Sequence, residues 1–210
     1  MTKNPSPLGA RGFINQLAHA VTDPAFAIVG TNDGNVQWGR NLGQGTANTA
    51  TWVDLTGENA VLPNRPIMDV AFDAQSTLVA YAAIGGFNQN TPTTPGHVYQ
   101  VSCSANCATR SWLDKSGNLP NIPANSVVAN PLRPGQVFVG TDWGLYYTDD
   151  INAAVPTWQR HEGLPHVMVW DMAIDRGFTT LAVFSRSRGA WAWPLPIDAA
   201  ADDLFADGFE

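Results

Sequence analysis

The stretch Val137-Phe-Val-Gly-Thr-Asp-Trp-Gly-Leu-Tyr-Tyr-Thr148 decides the fold. It holds two short apolar runs joined by a tight polar turn that ends in glycine. Runs of β-branched and aromatic residues on both sides of such a turn predict a β-hairpin. A first short strand is predicted before the hairpin at 126–130, and a fourth after it at Thr157-Trp158-Gln159. The stretch therefore predicts a unit of four short antiparallel strands.

The same order of strands recurs along the chain. First strands are predicted at 14–20, 67–73, 126–130 and 169–175, and second strands at 26–30, 78–82, 137–140 and 181–184. The glycines that open the third strands lie 62, 48 and 45 residues apart, at Gly34, Gly96, Gly144 and Gly189. A tryptophan begins the fourth strand in three units, at Trp52, Trp112 and Trp158. This internal repetition predicts a repeat architecture.

Four short strands in about 45 residues are typical of a β-propeller blade. A single sheet of this size buries too little apolar surface, so blades must stack on one another. We therefore predict an all-β β-propeller with blades at 13–56, 67–114, 125–160 and 168–194. The tryptophans of the fourth strands are expected to pack between blades.

The last unit has only three predicted strands, because Pro194-Leu-Pro196 and an acidic tail follow the third. Residues 1–12, an N-terminal extension, contain no β-like run that would complete it. The chain thus predicts about three and three-quarter blades, a partial ring that forms half of a larger propeller. The alternative is a four-bladed ring closed by a poor strand at 195–198. We expect a flexible acidic tail at 197–210 and self-association through the open blade edges.

Composition and charge exclude several classes of function. The 210 residues include 11 Lys and Arg against 18 Asp and Glu, and five of the acids lie within 198–210. The remaining body is nearly neutral and has no basic stripe, which argues against nucleic acid as a partner. No apolar run reaches the roughly 18 residues of a membrane span. Phosphate loops and dinucleotide fingerprints are absent, so no cofactor is predicted.

The two cysteines, Cys103 and Cys107, lie in one polar loop and predict a disulfide that closes a hairpin tip. A zinc site would need four ligands, and the four histidines show no ligand spacing, so no metal is predicted. A disulfide indicates an oxidising compartment, and we expect an extracellular or periplasmic protein. The first seven residues lack the apolar core of a signal peptide.

The repeat resembles the Asp-box (BNR) propellers, which include sialidases, xyloglucanases and non-enzymatic receptors. The resemblance rests on Val139-Gly-Thr-Asp-Trp-Gly-Leu-Tyr-Tyr-Thr148, Thr157-Trp158 and Gly163-Leu-Pro165, with an echo at Val29-Gly-Thr-Asn-Asp-Gly34. The Asp box itself is matched by Thr148-Asp149-Asp150 and Trp158, although its glycine is missing and its loop is longer. The resemblance implies a propeller fold and either glycan binding or glycoside hydrolysis.

Function is expected on one rim of this propeller. Loops that join strands two and three share that rim with loops that join successive blades, and active sites of similar propellers lie there. The predicted binding residues on it are Phe87, Trp143, His166, Trp170, Arg186 and Arg188. Trp143 and Trp170 are candidates for stacking on a sugar face, with packing between loops as the alternative. The insertion at 85–96, which carries Phe87, is expected to be mobile rather than sugar-binding.

Glycoside hydrolysis needs two carboxyl groups across a cleft. The candidates are Asp33, Asp69, Asp142 and Asp171. The resemblance implies a catalytic role for Asp142, but we expect Asp142 and Asp33 to cap the amides of their own turns. Asp69 and Asp171 begin first strands at the positions of Gln16 and Ser126, where polar groups would line a wet central channel. The leading hypothesis is an exported, non-catalytic propeller segment whose rim binds a glycan or a protein; the alternative is a glycoside hydrolase fragment.

Overall fold

The computed structural model describes residues 13–43, 50–57 and 62–195. The regular secondary structure of these residues is almost entirely β, with fifteen strands in four antiparallel sheets around one central channel. The predicted all-β propeller is therefore confirmed. The strands are β1 Ile14–His19, β2 Ala27–Thr31, β3 Val36–Arg40, β4 Thr51–Asp54, β5 Ile67–Phe72, β6 Val79–Ile84, β7 Val98–Cys103, β8 Arg110–Asp114, β9 Ala124–Ala129, β10 Val137–Thr141, β11 Gly144–Thr148, β12 Gln159–Arg160, β13 Val169–Ile174, β14 Thr180–Ser185 and β15 Ala190–Pro194.

Each sheet is a simple meander and makes one blade. Blades one to three each have four strands, β1–β4, β5–β8 and β9–β12, whereas the described part of blade four has β13–β15. The first strand of each blade faces the channel, and successive first strands contact one another. The predicted extension at 1–12, the tail at 197–210 and most of the alternative strand at 195–198 lie outside the described residues.

Among the described residues, three apolar clusters hold the blades together, between blades one and two, two and three, and three and four. Trp38 and Ile84 belong to the cluster between blades one and two, Tyr81 and Trp158 to that between blades two and three. Phe138 and Leu181 pack together between blades three and four. Because the second strands of blades one to three, β2, β6 and β10, are covered on both faces, their sequences are mostly apolar runs rather than alternating ones.

Two of the three fourth-strand tryptophans fasten their blade to the preceding one. The indole Nε1 of Trp112 donates a hydrogen bond to the Leu55 carbonyl at 2.7 Å, and that of Trp158 donates to the Lys115 carbonyl at 2.9 Å. Each acceptor is the residue directly after the fourth strand of the preceding blade. The predicted packing between blades is thus correct for these two residues.

Trp52 does not follow this pattern, and the prediction that it packs between blades is wrong. Its side chain is 38% exposed, and its ring lies flat against Gly39 of its own blade. Around the ring the preceding blade is blade four, whose described strands end at β15. Trp112 and Trp158 donate to the carbonyl that follows the fourth strand of the preceding blade. The described residues contain no equivalent carbonyl for Trp52.

The predicted disulfide is confirmed. Cys103 and Cys107 are bonded, with their Cα atoms 4.6 Å apart, and they close the turn between β7 and β8. Cys107 adopts a left-handed backbone conformation at φ 53°, and its N–H donates to the Ser104 carbonyl at 2.8 Å. This turn lies at the end of the blade opposite the loops that join second and third strands.

The two end blades expose apolar side chains on the faces that point away from their neighbours. Ile14 and Leu17 of β1 are exposed on the face away from blade two, and Phe184 of β14 is exposed on the face away from blade three. On blade one the exposure is confined to β1, since Ala27 and Val29 of β2 on the same face are buried. Exposed apolar side chains of this kind favour association between chains.

The first prediction compares two tryptophans that undergo the same truncation. Trp158→Ala should lower the free energy of unfolding by about 3–5 kcal/mol, since the ring is buried between blades and donates a hydrogen bond. Trp52→Ala should cost less than about half as much, because its ring is partly exposed. Urea titrations followed by circular dichroism measure both. We assign Trp158 to the contact between blades and exclude Trp52 from it. Equal losses of unfolding free energy in the two variants would contradict this difference.

The second prediction concerns the end blades. The chain should self-associate in a concentration-dependent manner, and the double variant Leu17→Ser with Phe184→Ser should weaken that association at least about tenfold. The matched control replaces Leu132 and Val155, which are exposed in turns away from the end faces, with serine. Sedimentation velocity over a range of concentrations measures the effect. A monomer at every concentration would contradict the prediction.

Candidate functional site at the channel mouth

A β-bulge occurs at the same place in every blade. The pairing between first and second strands skips one residue near the start of the first strand in all four sheets. The four skipped residues, which we call the bulge ring, are Asn15, Met68, Asn125 and Trp170. A bulge bends the strand and re-aims the side chain of the extra residue. Here it directs one side chain per blade toward the channel.

All four residues of the bulge ring line a single cavity at the mouth of the channel, with a volume of about 490 Å³. The other lining residues are Gln16, Asn32, Pro66, Asp69 and Asp171. Gln16, Asp69 and Asp171 thus lie where the sequence predicted polar groups on the channel wall. Ser126, at the equivalent position of blade three, is fully buried and contacts Asp69 instead.

Asp69 is the most deeply buried acid of the cavity wall. Its Oδ2 accepts hydrogen bonds from the Ser126 hydroxyl at 2.9 Å and from the Val127 N–H at 2.8 Å, both in blade three. Its Oδ1 accepts from the Val70 N–H at 2.8 Å. Burial raises the pKa of Asp69 to about 6, and the negative charge of Asp171 also raises it, while the three donors oppose the shift. Asp69 therefore both joins two blades and places a titratable group on the cavity wall.

Asp171 occupies the same position in blade four but is more exposed. Its Oδ1 accepts a hydrogen bond from the Met172 N–H at 2.8 Å, as Asp69 accepts from Val70. Within the described ranges, no Lys, Arg or His forms a salt bridge with either carboxylate. The cavity wall therefore presents two carboxyl groups without a cationic partner from the described residues.

The two turn aspartates lie outside the cavity. The Asp142 carboxylate accepts a hydrogen bond from the Asn125 side-chain amide at 2.9 Å. The hydroxyl of Thr141, not Asp142, binds the turn, accepting from the Trp143 N–H at 3.1 Å and donating to the Gly144 carbonyl at 2.9 Å. The expectation that Asp142 caps its own turn is therefore wrong, because the buried threonine hydroxyl already occupies that position.

Asp33 accepts a hydrogen bond from the Thr31 hydroxyl, whereas the amide of its turn, the Asn35 N–H, donates to that hydroxyl at 2.9 Å, so the expectation that Asp33 caps the amides of its turn is also wrong. The glycines after the two aspartates have positive φ, 80° at Gly34 and 122° at Gly144, a conformation that glycine adopts without steric cost. The two Asp-containing turns are thus explained by local structure, and neither aspartate lies on the cavity wall.

One exposed aromatic residue per blade surrounds the cavity on the same rim. Their exposed fractions are 73% for Phe13, 47% for Phe87, 55% for Trp143 and 51% for Trp170. Three of them were predicted from the sequence. Phe13 was missed; the available sequence signal is an aromatic residue directly before the first strand.

The other predicted rim residues accompany these aromatics. The His166 ring lies 5.0 Å from the Trp143 ring, and the Arg186 guanidinium lies 5.4 Å from the centroid of the Trp170 ring. Arg188 is exposed, and its N–H donates to the Ser185 hydroxyl at 3.0 Å. The predicted residues thus form two neighbouring pairs, Trp143 with His166 and Trp170 with Arg186.

The insertion at 85–96 is held in place by Arg65, although the sequence led us to expect a mobile loop. The Arg65 guanidinium is buried and donates to the backbone carbonyls of Gly85, Gly86, Pro95 and Gly96, at both ends of the insertion. The N–H of Asn88 also donates to the Asn121 side chain at 2.9 Å. A single arginine was not recognisable in the sequence as a clamp, because its acceptors are backbone atoms.

The described part of the chain contains neither a metal-binding cluster nor a membrane-spanning helix. Among residues 13–43, 50–57 and 62–195, no three His, Cys, Asp or Glu side chains are grouped so that they could hold a metal ion. No helix in these ranges is long and apolar enough to cross a membrane.

Comparison with solved structures shows the same architecture in several propellers. The Chaetomium thermophilum protein Sqt1, in a structure bound to the N-terminus of ribosomal protein L10, matches with a TM-score of 0.59 and 13% identity, over 87% of this chain and 46% of Sqt1. The Cps50 (Swd1) β-propeller domain of Myceliophteria thermophila matches with a TM-score of 0.58 and 11% identity, over 87% and 52% of the two chains. The computationally designed protein Ika4 matches with a TM-score of 0.56 and 13% identity, over 92% and 99%.

This chain spans about half the length of the two natural propellers. No family model matches it, and no curated protein matches it in sequence. At such low identity, the structural likeness shows the β-propeller fold alone.

The third prediction concerns the pH dependence of stability. The pKa of Asp69 is about 6 in the folded state and has the ordinary value of 3.8 in the unfolded state. Between pH 3.8 and about 6, the folded state therefore holds a proton on Asp69 that the unfolded state has lost. The free energy of unfolding should therefore fall as the pH rises from about 4 to 6, by up to about 3 kcal/mol from this residue. Urea titrations over this range measure the slope, and Asp69→Asn should remove this contribution.

Two variants of neighbouring residues should move the pH dependence in opposite directions. Asp171→Asn removes a like charge and should lower the pKa of Asp69, whereas Ser126→Ala removes a donor and should raise it. Identical pH profiles for the wild type and Asp69→Asn would contradict the assignment.

Proposed function

We propose that this protein is a non-catalytic binding scaffold whose partner docks on the rim around the channel mouth. The observation that carries the proposal is the placement of one exposed aromatic residue from each blade on this rim: Phe13, Phe87, Trp143 and Trp170. Tryptophan and other aromatic residues are enriched in binding interfaces, where they contribute much of the binding energy.

The opposite rim differs in its chemistry. Among the described residues, the exposed large apolar side chains in its turns, Val21, Leu132 and Val155, are aliphatic and lie singly. Trp52, near the start of β4, is the partly exposed aromatic at this end of the blades. Scattered aliphatic residues are ordinary on protein surfaces, whereas a ring of aromatics around a polar cavity is not. This asymmetry supports the rim at the channel mouth as the binding face.

A protein segment is the partner that we favour. The matched propeller Sqt1 is bound to the N-terminus of a ribosomal protein, which supports protein binding as a use of this architecture. A glycan is the second candidate, because the exposed Trp143 and Trp170 rings beside the amides of the cavity would suit a sugar.

Hydrolysis by Asp69 and Asp171 as a pair of carboxyl groups is less favoured. A general acid must reach the substrate, yet Asp69 is 5% exposed and both of its oxygens accept hydrogen bonds from the protein. Its contacts with blade three support a structural role beside any contact with a ligand.

We also propose that the protein is exported. The bond between Cys103 and Cys107 supports this proposal, since structural disulfides persist mainly in oxidising compartments.

The fourth prediction tests the binding face. Peptides are selected from a displayed random library on the wild-type chain, and their affinities are measured by fluorescence anisotropy. The double variant Trp143→Ser with Trp170→Ser should weaken the selected peptides at least about tenfold, because it removes two interface aromatics. The matched control, Leu132→Ser with Val155→Ser on the opposite rim, should leave their affinities unchanged.

Two outcomes decide between the partners. The double variant Trp143→Ser with Trp170→Ser is the rim variant. If the selected peptides bind it as tightly as they bind the wild type, the proposed binding face is wrong. If a glycan array yields a sugar whose binding depends on the two tryptophans, while no selected peptide does, the partner is a glycan.

A further inference from the structure

We propose that the cavity at the channel mouth receives a basic side chain, the ammonium of a lysine or the guanidinium of an arginine, from a protein docked on the rim. This inference rests on the proposed function and specifies the chemistry of the partner. It follows from the charge of the cavity wall, from the hydrogen-bonding groups left available there and from the apolar groups beside them.

The charge of the cavity wall is negative. Asp69 and Asp171 both line the cavity, and none of its nine lining residues is Lys, Arg or His. Neither carboxylate forms a salt bridge within the described part of the chain. Asp69 is buried and Asp171 is exposed. Buried charges in proteins are usually paired, and two neighbouring carboxylates favour a cation from outside.

The amides of the bulge ring add acceptors to the site. The Nδ2 of Asn125 donates to Asp142 at 2.9 Å and to the Val169 carbonyl at 3.2 Å, and the Nδ2 of Asn15 donates to the Ile67 carbonyl at 2.9 Å. The amide oxygens are therefore the groups that remain available to a ligand. Acceptor oxygens are what an ammonium or a guanidinium needs, since both only donate hydrogen bonds.

The two remaining amides have the opposite polarity. Gln16 accepts from the Leu17 N–H with its Oε1 at 3.0 Å, and Asn32 accepts from the Phe13 N–H with its Oδ1 at 2.7 Å. Their NH₂ groups remain available as donors. A peptide that brings a basic side chain also brings backbone carbonyls, which such donors suit.

Apolar groups stand beside these oxygens. Met68, Pro66 and the Trp170 ring line the same cavity, where they would contact the methylene stem of a lysine or an arginine. The Trp170 ring also makes a cation–π contact within the protein, with the Arg186 guanidinium 5.4 Å from its centroid.

A metal ion suits the cavity less well. A volume of about 490 Å³ greatly exceeds the space of one bound ion. In the described ranges, no group of three acidic, histidine or cysteine side chains is present to coordinate one. An organic cation, in contrast, uses both the carboxylates and the apolar wall.

The fifth prediction tests this site with small probes and the full chain. The basic probes, Nα-acetyl-lysine amide and Nα-acetyl-arginine amide, keep their charged side chains and are titrated at pH 7.5. Nα-acetyl-glutamine amide is the uncharged control. The indole N–H resonance of Trp170 should shift with the basic probes, and their affinity should exceed that of the glutamine probe by about tenfold or more. Asp171→Asn should weaken the basic probes at least about fivefold, because it removes one carboxylate.

Asp23→Asn is the matched control for charge. Asp23 lies in the turn between β1 and β2, at the opposite end of the blade, and its Oδ1 accepts from the Ala25 N–H, a contact that asparagine retains. This variant should bind the basic probes like the wild type. An equal loss in both variants would point to the net charge of the protein and would overturn the site.

Other outcomes also overturn the proposal. It fails if the glutamine probe binds as well as the basic ones, or if Ca²⁺ shifts the Trp170 resonance while the basic probes do not. If peptides selected on the rim keep their affinity when each Lys and Arg is replaced by Gln, the rim remains the binding face and the cavity proposal alone fails. If the basic probes bind but the selected peptides bind the rim variant as tightly as the wild type, the cavity accepts cations and the proposed function fails.

Discussion

Stacking of apolar sheet faces is the interaction on which the rest of the structure depends. Each blade is too thin to bury its own side chains, and the three clusters of buried residues all lie between blades. Polar contacts fix the angle and register of the stack, as when Trp112 and Trp158 donate to the carbonyls of the preceding blade. Asp69 does the same near the channel by accepting from Ser126 and Val127. Burial raises the pKa of Asp69 and so opposes the charged form of the carboxyl, whereas the donors that align the two blades favour that form.

The bulge ring explains why the site lies at one end of the channel. A regular strand would turn its side chains alternately to the two blade faces, where they would join the clusters between blades. The extra residue in each first strand breaks that alternation at a single level of the channel. Since all four blades share the bulge, different residue types can occupy the same level without disturbing the stack. The fold supplies the positions, and the sequence supplies an amide, a thioether or an indole.

The sequence predicts the blades well because their determinants are local. The apolar runs of β2, β6 and β10 and the glycines at positive φ can be recognised without knowledge of the partner strand. Trp52 was mispredicted because its environment depends on the blade on the other side of the ring, and Asp142 because a neighbouring hydroxyl competes for its turn. The bulge ring escaped prediction, since a bulge changes the pairing and needs no particular residue. The aromatic rim was largely predicted, because the end of the blade on which a loop lies follows from strand order alone.

The clamp formed by Arg65 has a consequence for how this surface can diversify. The Arg65 guanidinium donates hydrogen bonds to backbone carbonyl groups at both ends of the insertion. Every residue type supplies such a carbonyl. The path of the chain at these ends is therefore insensitive to the side chains at 87–94. Phe87 and the polar residues after it can be exchanged while the loop stays anchored beside the channel. In this respect the insertion is comparable to the variable loops of a binding scaffold, in which a constant frame carries replaceable contact residues.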